Sequence, residues 1–235
     1  MSVPDFAFPE TVAKHATENF EHAIHTGDST LMLRSLIDYI TAEELITHDN
    51  TSLWLARLMS AEAQASGKLS RSLINMLRAT VLWRYYAANR AVFDRRNLPV
   101  YPYPQQISMW SGEQFRDTIT TIIEEALAFK TSLGKAPIST FNGIIDADRL
   151  QTIYYPTLYD FVGIKSVEIL DSFRHTDFRK FKNYKNQIIS DLRAMHRNGS
   201  APYIMYSLDI NDNTSPEHMF ELYRQNSGSE FSGDI

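Results

Sequence analysis

Apolar residues recur every three or four positions along almost the whole chain, a period that fits the α-helix and not the strand. Residues 9–25 carry Val12, Ala13, Ala16, Phe20, Ala23 and Ile24 on one stripe, with Pro9 suited to a first helical turn and Gly27 to a stop. Residues 29–46 repeat the pattern with Leu33, Leu36, Ile37, Ile40, Leu45 and Ile46. The Gly27-Asp28 turn between them is short, so the two helices are expected as antiparallel neighbours. A third helix begins at Thr51 or Ser52, carries Trp54, Leu55, Leu58, Met59 and Ala63, and ends near Gly67. A fourth takes Ser70 as its N-cap and runs through Leu73, Ile74, Leu77, Val81, Trp83, Tyr86, Ala87 and Val92 to about Arg95.

Residues 97–110 break the pattern. Pro99, Pro102 and Pro104 favour an extended path, and the aromatic residues among them favour packing on the body over a free linker. Helical spacing returns over 112–131 (Phe115, Ile119, Ile122, Ile123, Ala126, Leu127). Residues 134–156 are irregular, with a short turn at 146–150. Further helices are expected over 157–173, 176–197, 201–210 and from Ser215-Pro216 to about Gln225. No segment alternates with period two between turn dipeptides. The fold class is therefore all-α, a single domain of about eight or nine helices packed partly as antiparallel hairpins. The domain spans 1–226, and 227–235 read as a frayed tail. The hairpin rhythm resembles that of helical repeats, but the pairs share no sequence identity.

Composition narrows the chemistry. The 235 residues include no cysteine, which removes disulfides, thiol nucleophiles, cysteine-ligated zinc, iron–sulfur clusters and thioesters. A net charge of -5 gives no footprint for nucleic acid. No apolar run approaches the roughly 20 residues of a membrane span. The start, Met1 to Asp5, has neither a basic nor an apolar leader region, so no signal peptide is expected in it.

Candidate motifs read mostly as structure. Ser111-Gly112-Glu113-Gln114 differs by one residue from the Cys-Gly-Glu-Gln run that forms an internal thioester in complement-like proteins. Serine cannot form that bond, and Ser111 with Gln114 three residues on is a capping box. His15, His22 and His25 fall on or near one face of the first helix beside Glu18 and Glu21. A metal site normally recruits ligands from other elements, so these read as exposed surface histidines, and no metal or cofactor is expected. There is no Gly-x-Ser-x-Gly elbow, phosphate-binding glycine loop or His-Glu-x-x-His run. Glu43-Glu44 and Glu124-Glu125 point in different directions from their helices and read as solvated faces. Arg174, Arg179, Lys180, Lys182 and Lys185, interleaved with Phe178, Phe181 and Tyr184, form an amphipathic helix with aromatics inward. Trp83-Arg84-Tyr85-Tyr86 and Tyr101-Pro102-Tyr103-Pro104 concentrate aromatic side chains. Neighbouring aromatics on a helix cannot all face one core, so Trp83, Tyr85, Tyr101 and Tyr103 are the candidates for a sugar or protein platform, against packing of loop on helix.

Several runs together resemble a known family. They are Tyr155-Pro156-Thr157-Leu158-Tyr159-Asp160-Phe161-Val162, Pro137-Ile138 with Gly143-Ile144-Ile145, and Trp110-Ser111 leading into Phe115. With them go Phe8-Pro9, Ile40-Thr41-Ala42 and Leu192 to Gly199. The chain resembles the N-terminal helical region of large Bacteroidetes proteins of the alpha-2-macroglobulin family. The resemblance covers most of the chain and carries no catalytic residue. It implies a helical module preceding β-sandwich domains, in a secreted or membrane-anchored envelope protein that presents a bait segment to proteases. On that reading the leader has been removed, and any thioester lies outside this stretch. The expected function is a non-catalytic scaffold or interaction module of such a protease-inhibitor-like protein, exposed in the periplasm or cell envelope. Its partners are the parent chain's other domains, envelope proteins or proteases. The alternative from the residues is a helical glycan-binding protein using exposed aromatics.

Overall fold

Gly27 turns the first apolar stripe back on the second. Its backbone is left-handed, with φ of 69°, a conformation that glycine adopts without steric cost. The computed structural model describes residues 8–47, 50–96, 106–142, 144–145, 156–173 and 179–195. Helix α1 (Pro9–Thr26) ends at Gly27, and α2 (Ser29–Ile46) starts at Asp28, whose carboxylate accepts from the amides of Thr30 and Leu31 at 3.0 and 2.9 Å. Val12 and Ala13 near the start of α1 pack with Ala42 near the end of α2, so the pair is antiparallel.

Helices α3 (Thr51–Gln64) and α4 (Lys68–Ala88) follow, then the single turn α5 (Arg90–Phe93). After a 3-10 turn at Ile107–Met109 come α6 (Gly112–Leu127) and α7 (Lys130–Lys135). After a second at Ile138–Phe141 come α8 (Leu158–Asp171) and α9 (Arg179–Met195). Among the described residues there is no strand, only two isolated bridges, one joining Pro137 to Thr157. The fold is all-α.

Helix α4 is the centre, because its apolar residues go most of the way round it. Leu73, Ile74, Met76, Ala79, Val81, Leu82 and Tyr86 are buried, and Leu69, Leu77 and Trp83 pack against the same core. It contacts α2, α3, α6, α7 and α8. Ser72 Oγ near its start donates to the Ala126 carbonyl near the end of α6, and Tyr86 near its end stacks on Phe115 near the start of α6. The two helices are therefore antiparallel. By the same logic α8 runs parallel to α4, since Ser166 meets Met76 and Ser172 meets Trp83. Helix α9 returns antiparallel to α8, with Tyr159 opposite Asp191 and Asp171 opposite Lys185. Glu44 near the end of α2 pairs with Arg84 near the end of α4 at 2.9 Å, so residue 8 lies at that end of α4. Met195 packs against Gly134, beyond the end of α6, which is the opposite end.

Three sequence expectations need correction. The fourth helix starts at Lys68 with Gly67 as its N-cap, and Ser70 is a buried residue within it. It ends at Ala88, where Asn89 leaves the helix, and does not continue to Arg95. The helix expected over 112–131 ends at Leu127, and a separate short helix begins at Lys130. The turn at 146–150, the helices at 201–210 and 215–225, the boundary at 226 and the tail at 227–235 lie outside the described residues.

Ile74 is wholly buried at the centre of α4. Ile74→Ala is expected to lower unfolding free energy by about 2–5 kcal/mol, through lost transfer energy and the cavity left behind. A urea titration measures this as a lower midpoint with an unchanged slope.

Candidate functional site

Where α4, α5 and α6 meet, a polar group gathers in which Arg116 and Tyr86 are buried and the Asp94 side chain stays 33% exposed. Ser111 caps α6 as the sequence predicts: its side chain accepts from the Gln114 amide, and Gln114 Oε1 accepts from the Ser111 amide at 2.8 Å. That cap fixes Gly112 at the first helical position and Arg116 one turn later. Tyr86 comes from the last turn of α4, and Asp94 from the end of α5. Arg116 Nη1 donates to Asp94 Oδ1 at 2.8 Å and to the Tyr86 hydroxyl at 2.7 Å. The Tyr86 hydroxyl donates to Asp94 Oδ1 at 2.9 Å, and Arg90 Nε donates to Asp94 Oδ2 at 3.1 Å. The carboxylate lies so close to Gly112 that a Cβ there would stand 2.0 Å from Asp94 Oδ1. A side chain at position 112 would therefore force the Asp94 carboxylate to shift.

Aromatic rings pack round the Tyr86 side of this junction. Phe115 lies 4.6 Å from Phe93, 5.2 Å from Trp110 and 5.6 Å from Tyr86, centroid to centroid, and Phe173 meets Tyr86 edge-on at 5.9 Å. Arg96 Nη1 donates to the carbonyls of Ser108 and Trp110, so the two sides of the proline-rich connection are held together at its base. Burial pulls the Asp94 carboxyl upward. The hydrogen bonds from Tyr86, Arg90 and Arg116 and the charge of Arg116 outweigh it, so the carboxyl sits below its ordinary 3.8. Burial also raises the Tyr86 phenol, against the opposing charge of Arg116.

A second ionic junction joins α7, α8 and α9. Asp191 accepts from Lys130 Nζ at 2.6 Å, Gln187 at 3.1 Å and the Tyr159 hydroxyl at 3.3 Å. Burial, then the neighbouring Asp191 carboxylate, raises the Tyr159 phenol well above its ordinary value. Arg78 makes a third, taking Asn75 at 2.7 Å and lying 3.8 and 3.7 Å from Glu62 and Glu125, so that α3, α4 and α6 share one cation. In all three junctions, charged groups face one another across helices.

Of the aromatic candidates, Trp83 and Tyr85 are half-buried and pack against the core. Trp83 Nε1 donates to Ser172 Oγ at 2.9 Å, and the Tyr85 ring lies 5.6 Å from Phe93 and 5.9 Å from Phe115. Tyr101 and Tyr103 lie outside the described residues. His15, His22 and His25 are exposed, with His15 Nδ1 3.3 Å from Glu18. Among the described residues no group of three or more His, Asp or Glu side chains could hold a metal ion. In the basic helix, Lys182 is exposed, Lys185 pairs with Asp171 at 2.8 Å and Tyr184 is half-buried, whereas Arg174 and Phe178 lie outside the described residues. Glu43 and Glu44, expected as a solvated pair, engage Asn50 and Arg84.

Sequence reasoning missed the Asp94–Arg116–Tyr86 group. Its one local signal is Arg90 four residues before Asp94. A capping box at Thr157 and Asp160 was also missed, although its spacing is readable. No protein-family model, no curated protein and no solved structure matches the chain. The class defined by the fold is an all-α domain, and its three ionic junctions join one helix to another.

Gly112→Ala is expected to cost roughly 1–3 kcal/mol by overpacking against the Asp94 carboxylate. The cost should shrink in the Gly112→Ala/Asp94→Ser double variant, a coupling that a double-mutant cycle of unfolding free energies measures. The lowered Asp94 pKa sets a pH dependence of definite sign. Its ionised form contributes stability that is fully present above the ordinary carboxyl value of 3.8 and is lost as pH falls through the lowered folded value. Below about pH 4, acid should therefore cost the native protein more stability than it costs Asp94→Asn, as read from urea midpoints across a pH series.

Proposed function

We propose that this chain is a non-catalytic helical scaffold or interaction module. On the resemblance described above, it would stand at the N-terminal side of an envelope-exposed protein of the alpha-2-macroglobulin kind. The observation that carries the non-catalytic reading is the mutual engagement of Asp94, Arg116 and Tyr86. The Asp94 carboxylate accepts from three side chains that all come from the same helix junction. A catalytic carboxylate needs a face turned to substrate and a pKa drawn toward the working pH. Asp94, though its side chain is 33% exposed, has both oxygens engaged by its neighbours and its pKa held low. Partners on this reading are other domains of a longer chain, envelope proteins or proteases, recognised through surfaces and without a reactive centre.

The test is a panel of generic ester, peptide and glycoside substrates with the purified chain, together with trapping of a broad-specificity protease. No turnover and no trapping by this chain alone is the expected result. Turnover that a single substitution abolishes without changing the circular dichroism spectrum would overturn the reading.

A further inference from the structure

The last two turns of α1 carry a pair of side chains with no role in the fold. His22 and His25 are both exposed, and neither side chain takes part in a hydrogen bond or ion pair among the described residues. Residues three apart on a helix are surface neighbours, about 5–6 Å between Cβ atoms, a span that one metal ion can bridge with two imidazoles. His15, by contrast, is committed to Glu18, which also lies 4.0 Å from Lys14. It stands seven residues, about two turns, before His22.

Two further observations favour a cation here. His25 sits in the last turn of α1, at the negative end of the helix dipole. That turn is also fixed in place: the Asp28 amide donates to the Ala23 carbonyl at 3.0 Å and the Gly27 amide to the Ile24 carbonyl at 3.4 Å, a closed Schellman end. The two histidines therefore stand on the last two turns of a helix whose end is closed by hydrogen bonds.

We propose that His22 and His25 form a surface chelate for a divalent transition metal of the nickel, zinc and copper group. Neutral imidazole nitrogens would supply two ligands and water the others. The described residues provide no third protein ligand, so the site is open and exchangeable.

Tag-free protein is titrated with Ni²⁺ and separately with Zn²⁺ by isothermal calorimetry at about pH 7.5. One equivalent is expected to bind. His22→Asn and His25→Asn should each weaken it at least about tenfold, His15→Asn should not, and lowering the pH to about 5.5 should weaken it because the imidazoles must be neutral to bind. All three positions are exposed, and circular dichroism checks that each variant is folded. No saturable binding, a loss in His15→Asn as large as in His22→Asn, or undiminished binding in the His22→Asn/His25→Asn double variant would overturn the proposal.

Discussion

The architecture depends on one demand: α4 must bury nearly its whole circumference. A helix with one apolar stripe needs one partner, and α4 has apolar groups facing several directions. Five other helices meet that demand, besides the single turn α5 that follows it in the chain. The antiparallel partner α6 and the parallel partner α8 lie along it, and α2, α3 and α7 fill the remaining directions. The polar atoms on this buried surface are accommodated one by one. Ser72 donates to a carbonyl of α6, Asn75 accepts from Arg78, and Thr80 Oγ1 donates to the Met76 carbonyl.

The Asp94–Arg116–Tyr86 junction follows from the same demand. Tyr86 lies inside near the end of α4 at Ala88, and from Gly112 the chain runs back along α4 as α6. Asp94 on the outgoing side is bonded to Arg116 on the returning side, and Arg96 holds the carbonyls of Ser108 and Trp110. The charge pair acts as a registration device. It is partly desolvated, so its net energetic worth is modest, but its geometry specifies which turn of α6 faces which turn of α4.

What could be read from the sequence divides along the line between local and tertiary causes. The α1–α2 hairpin was legible because its turn, its cap at Asp28 and both stripes lie within 38 contiguous residues. The Ser111 box was legible because both partners lie on one turn. The end of α4 was not legible: apolar spacing continues through Val92, yet the helix stops where Asn89 leaves it and its side-chain amide donates back to the Tyr85 carbonyl. Ser70 has the chemistry of a cap, yet packing draws the helix start back to Lys68 and buries the serine. The aromatic candidates show the same limit. Trp83 and Tyr85 have the composition of a platform, but their surroundings are supplied by Ser172, Phe93 and Phe115 from other elements.

The opposite placement of residues 8 and 195 has a mechanical consequence. Tension applied between them would run along the bundle axis. It would load the α1–α2, α4–α6 and α8–α9 interfaces in shear, as sliding of interlocked side chains over whole helix lengths. Rupture would then require many contacts to yield together, whereas a domain with both attachment points at one end can be peeled one turn at a time.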